Sequence, residues 1–193
     1  TPLTLELGGK NPTLFTESGI EPGLVERFLY FRIFKGGQVC TAPDYVLAPA
    51  QRLNEWVELA KRAWSGMYPK YVGHPDATGT INDRHYDRLL GYLEEARAAG
   101  VPVISLSGDQ PDRALRQLPL CVVVNPPEGL AVMQEETFGP IIAVKPYETV
   151  EQAIRYINDR PSPLAAYVVT REPKQAEQYA RDVIAGGVGI NVF

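Results

Sequence analysis

Short apolar runs alternate with amphipathic segments over the length of this chain. Alternation of this kind is typical of strands joined by crossover helices, which together build a mostly parallel sheet. The candidate strands cover residues 3–7, 13–15, 45–48, 101–105, 121–124, 141–144, 165–170 and 188–193. The pattern therefore predicts an α/β fold with an open, twisted, mostly parallel sheet flanked by helices.

Apolar residues at spacings of three and four predict the helices between these strands. One helix should begin near Gln51 and end at Gly66, and a second should cover about 83–99 before Gly100. Two more are marked by the apolar positions within 150–157 and 176–184, and a helix-like stretch covers 24–34. Because no repeat or linker divides the chain, we expect one domain over 1–193, with long surface loops at 71–79 and 108–116.

Composition excludes several classes of protein. The chain has 193 residues, 45% of them hydrophobic, which is enough to form a core without a disulfide or metal. Its net charge of −4 and dispersed basic residues predict neither nucleic acid nor an anionic membrane as a partner. Since no apolar run approaches the roughly 18 residues of a membrane span, we expect a cytoplasmic protein. Cys40 and Cys121 stand in different contexts, away from both histidines, so a disulfide scaffold or metal site is not expected.

The run 6–11, Glu-Leu-Gly-Gly-Lys-Asn, is the first candidate for chemistry. A carboxylate at a strand end, followed by glycines that allow close approach, is a plausible general base. The alternative is a polar strand edge with a Gly-Gly turn. A phosphate-binding Walker loop is excluded, because Thr4 stands where its first glycine would be and Asn11 follows Lys10.

The run 36–43, Gly-Gly-Gln-Val-Cys-Thr-Ala-Pro, is the second candidate. Its glycines place a thiol on a turn, where solvent and backbone N–H donors could reach it. The alternative is a small buried hydrophobic side chain, an interpretation that fits Cys121 among Leu120, Val122 and Val123 well.

The run 135–140, Glu-Glu-Thr-Phe-Gly-Pro, is the third. A carboxylate here could hold a pair of sugar hydroxyls while the aromatic ring braces a flat ring beside it. The alternative is a solvated acidic pair with an aromatic residue anchoring a turn.

Taken together, in this order and with Cys40 placed 40 − 6 = 34 positions after Glu6, the three runs resemble the aldehyde dehydrogenase superfamily. The continuation Cys-Thr-Ala-Pro-Asp-Tyr at 40–45 and the run Arg-Pro-Ser-Pro-Leu-Ala at 160–165 are similar to its class 3 and coniferyl aldehyde dehydrogenase branch. The resemblance covers essentially the whole chain. It implies a Rossmann-like catalytic domain excised from a longer protein, whose coenzyme-binding domain lies largely upstream.

The resemblance also implies residue roles. Cys40 would be the nucleophile that forms a thiohemiacetal and then a thioester, and Glu6 would activate the water that hydrolyses the thioester. Glu136 would hold the cofactor ribose and Phe138 would lie near the nicotinamide. Leu7, through its backbone carbonyl, and Gly8 would complete the residues that bind NAD or NADP.

The implied reaction is oxidation of an aldehyde, aromatic and coniferaldehyde-like among the candidates, to its carboxylic acid. The stretch 1–193 alone is not expected to be a competent dehydrogenase, and the parent protein is expected to be a homodimer or tetramer. The implied site contains no metal.

Two alternatives stay open at the level of sequence. A CoA-acylating or reductive relative would hand the acyl group to another acceptor, although Glu6 favours hydrolysis. A catalytically silent paralogue is the other alternative, because Lys35 stands where most relatives have Asn. That lysine is either solvated at the surface or places a positive charge near the thiol.

Overall fold

The computed structural model describes residues 2, 3 and 8–193. In these residues the strands are β1 (Asn11–Phe15), β2 (Pro43–Pro49), β3 (Val103–Ser105), β4 (Cys121–Val124), β5 (Ile141–Tyr147), β6 (Ala165–Val169) and β7 (Gly187–Ile190). The helices are α1 (Pro22–Ile33), α2 (Leu53–Met67), α3 (Asp83–Ala98), α4 (Ala131–Gln134), α5 (Val150–Asn158) and α6 (Pro173–Asp182). The first predicted strand, 3–7, falls almost entirely outside the described residues, as do the predicted site residues Glu6 and Leu7.

These strands form one sheet in the order β3-β4-β5-β2-β1-β6-β7. Each neighbouring pair is parallel except β3 with β4, which is antiparallel at one edge. The predicted α/β class with a mostly parallel sheet is therefore confirmed. The order also places β5, β2, β1 and β6 side by side, although β5 and β6 come long after β1 and β2 in the sequence.

Side chains alternate between the two faces of the sheet, as the pleat requires. On β2, Tyr45 and Leu47 enter the core layer that α3, α5 and α6 cover. Val46 and Ala48 enter the layer that α1 and α2 cover. Because β2 is buried on both faces, its residues 45–48 form a continuous apolar run, which is the reason that this strand could be recognised.

Two predicted boundaries are wrong, and each has a local reason. The last strand ends at Ile190 instead of residue 193, because Asn191 adopts a left-handed backbone with φ of 54°. The side chain of Asn191 pairs with the backbone of Thr170, directly after β6, accepting its N–H at 2.9 Å and donating to its carbonyl at 2.9 Å. The helix predicted over 176–184 begins earlier, at Pro173, and ends at Asp182, since Val183 is already extended.

The remaining differences are small. Gly66 does not end α2, which continues to Met67, because this glycine lies in open space and keeps helical geometry. The short helix α4 was not predicted, since four residues are too few to show a helical period. None of the helices in residues 8–193 has the length and apolar character needed to cross a bilayer.

Candidate active site

Four segments lead into the four adjacent strands β1, β2, β5 and β6. They are residues 8–10, 34–42, 135–140 and 159–164. Because these strands are parallel and neighbouring, their amino ends lie along one edge of the sheet, and the four segments meet there. We call this place the amino edge. All three runs identified in the sequence contribute to it.

The turn that carries Cys40 depends on left-handed backbone. After α1 ends, Lys35, Gly36 and Gly37 have φ values of 52°, 66° and 77°. A Cβ atom on Gly37 would lie 2.6 Å from the carbonyl oxygen of Gly139, so the turn packs directly against the 135–140 segment. Cys40 itself is exposed, as expected of a reactive thiol and not of a core residue.

Asn11 holds the chain at Cys40 and two residues after it. Its buried amide donates to the carbonyl oxygens of Cys40 at 2.8 Å and Ala42 at 2.9 Å. Its side-chain oxygen accepts the N–H of Ala165 at 2.8 Å. One amide therefore joins β1, the thiol turn and β6, and leaves none of its oxygen and nitrogen atoms unpaired.

Tyr167 on β6 supports the same turn. Its hydroxyl donates to the carbonyl of Thr41 at 2.6 Å. Burial raises the pKa of this phenol, the bond to Thr41 opposes that change, and the charge of the Cys40 thiolate would raise it further. The phenol is therefore a neutral donor next to the cysteine.

Gly8 and Gly9 lie against Glu136. The N–H of Gly9 donates to Oε1 of Glu136 at 3.0 Å. A Cβ on Gly9 would lie 2.4 Å from the Cys40 carbonyl oxygen and 2.8 Å from Oε1 of Glu136, so this glycine fills the gap between the cysteine turn and the carboxylate. Burial raises the pKa of Glu136, while the Gly9 N–H opposes the shift and the charge of Asp44 adds to it.

Asp44 connects the three runs and is itself buried. Its carboxylate pairs with the ammonium of Lys10 at 2.7 Å. It also accepts the N–H of Thr137 at 2.8 Å and the hydroxyl of Thr137 at 2.7 Å. Lys10 donates in addition to the carbonyl of Val132 at 2.6 Å, so its charge is engaged within the protein.

Phe138 sits half-buried in a strained turn with φ of 47°, which bulky side chains rarely adopt. Backbone carbonyls on its N-terminal side are held by Arg88, which donates to Glu136 at 3.2 Å and to Thr137 at 2.8 Å. On its other side, a Cβ on Gly139 would collide with Leu89 at 2.4 Å. The strain persists because the neighbouring contacts determine the backbone on both sides.

A cavity of about 780 Å³ opens beside these groups. Gly8, Gly9, Lys10 and Glu136 form one wall and the 159–163 segment forms another. At its rim Glu128 pairs with Lys145 at 2.6 Å and with Arg160. Burial raises the pKa of Glu128, but the bonds from Lys145 and Tyr156 together with the charges of Arg160 and Lys145 outweigh burial, and the net shift is downward. The rim therefore carries a negative charge between two cations.

The structure brings Cys40, Glu136, Phe138 and Gly8 to the amino edge, in the places where the sequence analysis expected a site. Glu6 and Leu7 lie outside the described residues. Cys121 lies in the core, where burial raises its thiol pKa to about 12. Lys35 is exposed and takes part in none of the ion pairs found among the described residues.

Sequence reasoning did not single out four residues that shape this site. They are Asn11, Arg32, Arg88 and Asp44. Asn11 and Asp44 lie inside the runs that were quoted, so their polarity at the start of apolar strands was the available signal. Arg32 and Arg88 lie on helices, where the sequence does not show whether an arginine side chain is buried or solvated.

The arrangement suits covalent chemistry on a small molecule. The exposed thiol of Cys40 lies on a turn whose backbone is held by Asn11 and Tyr167. The half-buried carboxylate of Glu136 lies next to the backbone of that turn and lines the cavity. In the described part of the chain, the N–H of Cys40 makes no hydrogen bond, so it is available to an oxyanion formed at the thiol. Across the same residues, no group of three or more His, Cys, Asp or Glu side chains could hold a metal ion.

Comparison with known proteins identifies the family. Residues 1–193 match the model of the aldehyde dehydrogenase family. A probable coniferyl aldehyde dehydrogenase of Pseudomonas aeruginosa is 39% identical over 191 residues, which are 99% of this chain and 40% of that protein. Aldehyde dehydrogenase family 3 member A2 of Pongo abelii is 34% identical over 189 residues, which are 97% of this chain and 38% of that protein.

Solved structures agree. A betaine aldehyde dehydrogenase double mutant from Staphylococcus aureus, in complex with NAD+ and with a BME-modified cysteine, superposes with a TM-score of 0.84 and 26% identity. The match covers 97% of this chain and 39% of that one. This chain thus spans about 40% of the length of the curated relatives it matches. The resemblance predicted from the three runs, and its class 3 and coniferyl branch, are confirmed: the chain belongs to the aldehyde dehydrogenase family.

Proposed function

We propose that the intact protein oxidises an aldehyde to its carboxylic acid with NAD or NADP, and that Cys40 is the nucleophile. Residues 1–193 would be its catalytic domain, with the coenzyme-binding part upstream. Aromatic aldehydes similar to coniferaldehyde are the proposed substrates, because the Pseudomonas aeruginosa relative named for that activity is 39% identical.

The observation that carries the proposal is the position of Gly9. Gly9 lies between the backbone of Cys40 and the carboxylate of Glu136, in a gap too narrow for a methyl group. A Cβ on Gly9 would lie 2.4 Å from the Cys40 carbonyl oxygen and 2.8 Å from Oε1 of Glu136. The nucleophile turn and the proposed ribose-binding carboxylate are therefore adjacent, as a reaction between a substrate on Cys40 and a cofactor on Glu136 requires.

The described residues fit a nicotinamide cofactor at one end. Oε1 of Glu136 takes the N–H of Gly9. Its Oε2 makes no hydrogen bond to the described residues and lies beside Gly8, so it could accept bonds from ribose hydroxyls. The cavity next to it has room for a nucleoside-sized group. When bound, the cofactor supplies the acceptor for the hydride that leaves the substrate carbon.

The protein's own groups would act in two stages. In the first, Sγ of Cys40 bonds to the aldehyde carbon, and the oxyanion that forms accepts the N–H of Cys40. Loss of hydride from that carbon leaves a thioester on Cys40. In the second, Glu6 takes a proton from water as the water attacks the thioester carbon, and the carbon–sulfur bond breaks to release the acid and the thiolate.

The test is aldehyde-dependent formation of NADH or NADPH by the intact protein, over a panel of aromatic and aliphatic aldehydes. We expect Cys40→Ala to abolish turnover, whereas Cys121→Ala, the matched control at the buried cysteine, should retain it. Glu6→Gln should give one equivalent of reduced cofactor per site and then stall at the thioester. Turnover that survives Cys40→Ala would refute the proposal.

The same assay separates the alternatives. Turnover that requires CoA and yields an acyl-CoA would identify an acylating relative. Absence of turnover in a folded protein that binds cofactor would identify a silent paralogue, and Lys35→Asn would then be the first substitution to test. Without substrate, iodoacetamide should label Cys40 faster than Cys121 in the folded protein, since only Cys40 is exposed.

We also propose that the intact protein is a homodimer or tetramer. The edge strand β7 supports this, because Val188, Ile190 and the following Val192 expose apolar side chains along it. Light scattering coupled to size-exclusion chromatography would measure the mass of the assembly. A monomer at micromolar concentration would refute this part of the proposal.

A further inference from the structure

A buried arginine links the two halves of the site. Arg32 lies in the last turn of α1, and only 1% of its surface is exposed. Its guanidinium donates to backbone carbonyls at every nitrogen: Nε to Ile141 at 3.3 Å, Nη1 to Gly37 at 3.4 Å, and Nη2 to Ile141 at 2.7 Å and to Gly139. None of these acceptors is a carboxylate.

The acceptors belong to the two turns that carry the proposed chemistry. Gly37 is three residues before Cys40, and Gly139 is three residues after Glu136. At the same point a Cβ on Gly37 would lie 2.8 Å from Nη1 of Arg32, so the guanidinium and both turns are in direct contact. A shift of either turn would therefore break hydrogen bonds to this one side chain.

Arg32 is a buried cation that forms no ion pair with any of the described residues. Burying a cation away from water is costly unless polar groups replace its hydration, and here carbonyl oxygens do so. Burial lowers the pKa of Arg32, and the carboxylates of Asp44 and Glu136 oppose that shift at longer range. A buried cation with no ion-pair partner among the described residues is a poor choice for stability alone, because an apolar side chain would avoid the desolvation cost.

We propose that Arg32 is a positioning residue, which holds the Cys40 turn and the turn from Glu136 to Gly139 in fixed register. The inference rests on the proposed function, since it assigns the two turns to nucleophile and cofactor. The fork of the guanidinium is essential to the role: its fixed N–H groups reach three carbonyls at once, whereas the ammonium of lysine is a compact head that cannot bridge them all.

Two variants separate charge from geometry. Arg32→Lys keeps the cation and loses the fork, whereas Arg32→Met keeps the length and loses both. Val57→Ala is the matched control, since it removes buried apolar atoms from α2, a helix that contributes no residue to either turn. All three are made in the intact protein and compared at a temperature where circular dichroism shows them folded.

The first measurement needs no substrate. Hydrogen–deuterium exchange should rise at least tenfold in residues 34–42 and 135–140 of Arg32→Met, with a smaller rise in Arg32→Lys and little change in α5 and α6. Val57→Ala should leave the two turns as they are. A uniform rise over the whole sheet, or no rise in the turns, would overturn the inference whether or not the protein oxidises aldehydes.

The second measurement is kinetic. Arg32→Met should lower kcat at least tenfold and raise the KM for the cofactor at least threefold, with Arg32→Lys recovering part of both. Wild-type kcat and KM in Arg32→Met would overturn the inference. If the wild-type protein itself lacks aldehyde-dependent turnover, the proposed function fails while the exchange measurement still decides the role of Arg32.

Discussion

The buried pair of Asp44 and Lys10 makes a quantitative prediction. Removing one partner of a buried ion pair costs about 3–5 kcal/mol. Asp44→Asn should cost less, about 2–3 kcal/mol, because the amide oxygen still accepts the N–H of Thr137 and the Lys10 side chain is 19% exposed to water. The cost arises because the amide oxygen that keeps the N–H of Thr137 occupies the Oδ2 position, so the amide nitrogen takes the Oδ1 position and faces both the ammonium of Lys10 and the hydroxyl of Thr137.

A double-mutant cycle tests whether this cost belongs to the pair. Lys10→Met alone leaves the Asp44 carboxylate buried without its cation. In the Asp44→Asn background the carboxylate is already gone, so Lys10→Met removes only the bond from the ammonium to the carbonyl of Val132. We therefore expect a coupling energy of about 1–3 kcal/mol. Amide exchange of β1 and β2 in the intact protein reports the opening free energy of this domain and is the assay.

The control is the exposed pair of Lys61 and Glu58, which has the same separation of 2.7 Å. Lys61→Met should cost no more than about 1 kcal/mol, because solvent screens an exposed pair. The reasoning would be refuted if Lys10→Met and Asp44→Asn were additive to within about 0.5 kcal/mol, or if Lys10→Met cost no more than Lys61→Met.

Three further predictions concern the same edge. Burial raises the folded-state pKa of Glu136, so the contribution of this carboxyl group to stability is present below its unfolded pKa and is lost as pH rises through the folded value. Glu136→Gln should therefore melt at a higher temperature than wild type at pH 7.5, and this difference should shrink towards pH 4. The same variant should have a raised KM for the cofactor. Lys35→Asn should stabilise the domain by up to about 1 kcal/mol in urea unfolding, because Asn tolerates the left-handed backbone better; Lys70→Asn, at an exposed lysine without that backbone, should not. Gly37→Ala should destabilise by roughly 2–4 kcal/mol through both backbone strain and collision with the opposing turn, whereas Gly73→Ala, with positive φ but open space, should cost about 1 kcal/mol. Equal costs for the two glycines would contradict the packing argument.

Much of the fold could be read from local pattern. Central strands such as β1, β2 and β6 were recognisable because their side chains are buried on both faces, and helices such as α2 and α5 because only one face of each is buried. The predicted end of the last strand was wrong because a single side chain decides where β7 ends. Asn191 ended β7 by pairing with Thr170, a residue 21 positions away, and no local pattern reports such a contact.

The candidate site was predicted as three runs and a resemblance, without the contacts that assemble them. Cys40 and Cys121 could be told apart, because one stands after glycines and the other within an apolar run. Lys35 could not be resolved from the sequence, since a solvated and a site-facing lysine read alike. The structure places it at the surface, on a left-handed backbone conformation that asparagine adopts more readily than lysine.

The sequence by itself determined the class of fold, the family and the residues with reactive groups, because apolar period and local motif depend on neighbours along the chain. Only the tertiary structure decided which of those residues meet. The order β5-β2-β1-β6 brings together residues that are distant in the chain, such as Gly9 and Glu136, which bond across 127 positions. Tertiary structure also decided that Arg32 is buried. The carbonyls of Gly139 and Ile141, which replace water around its guanidinium, lie 107 and 109 positions away in the chain.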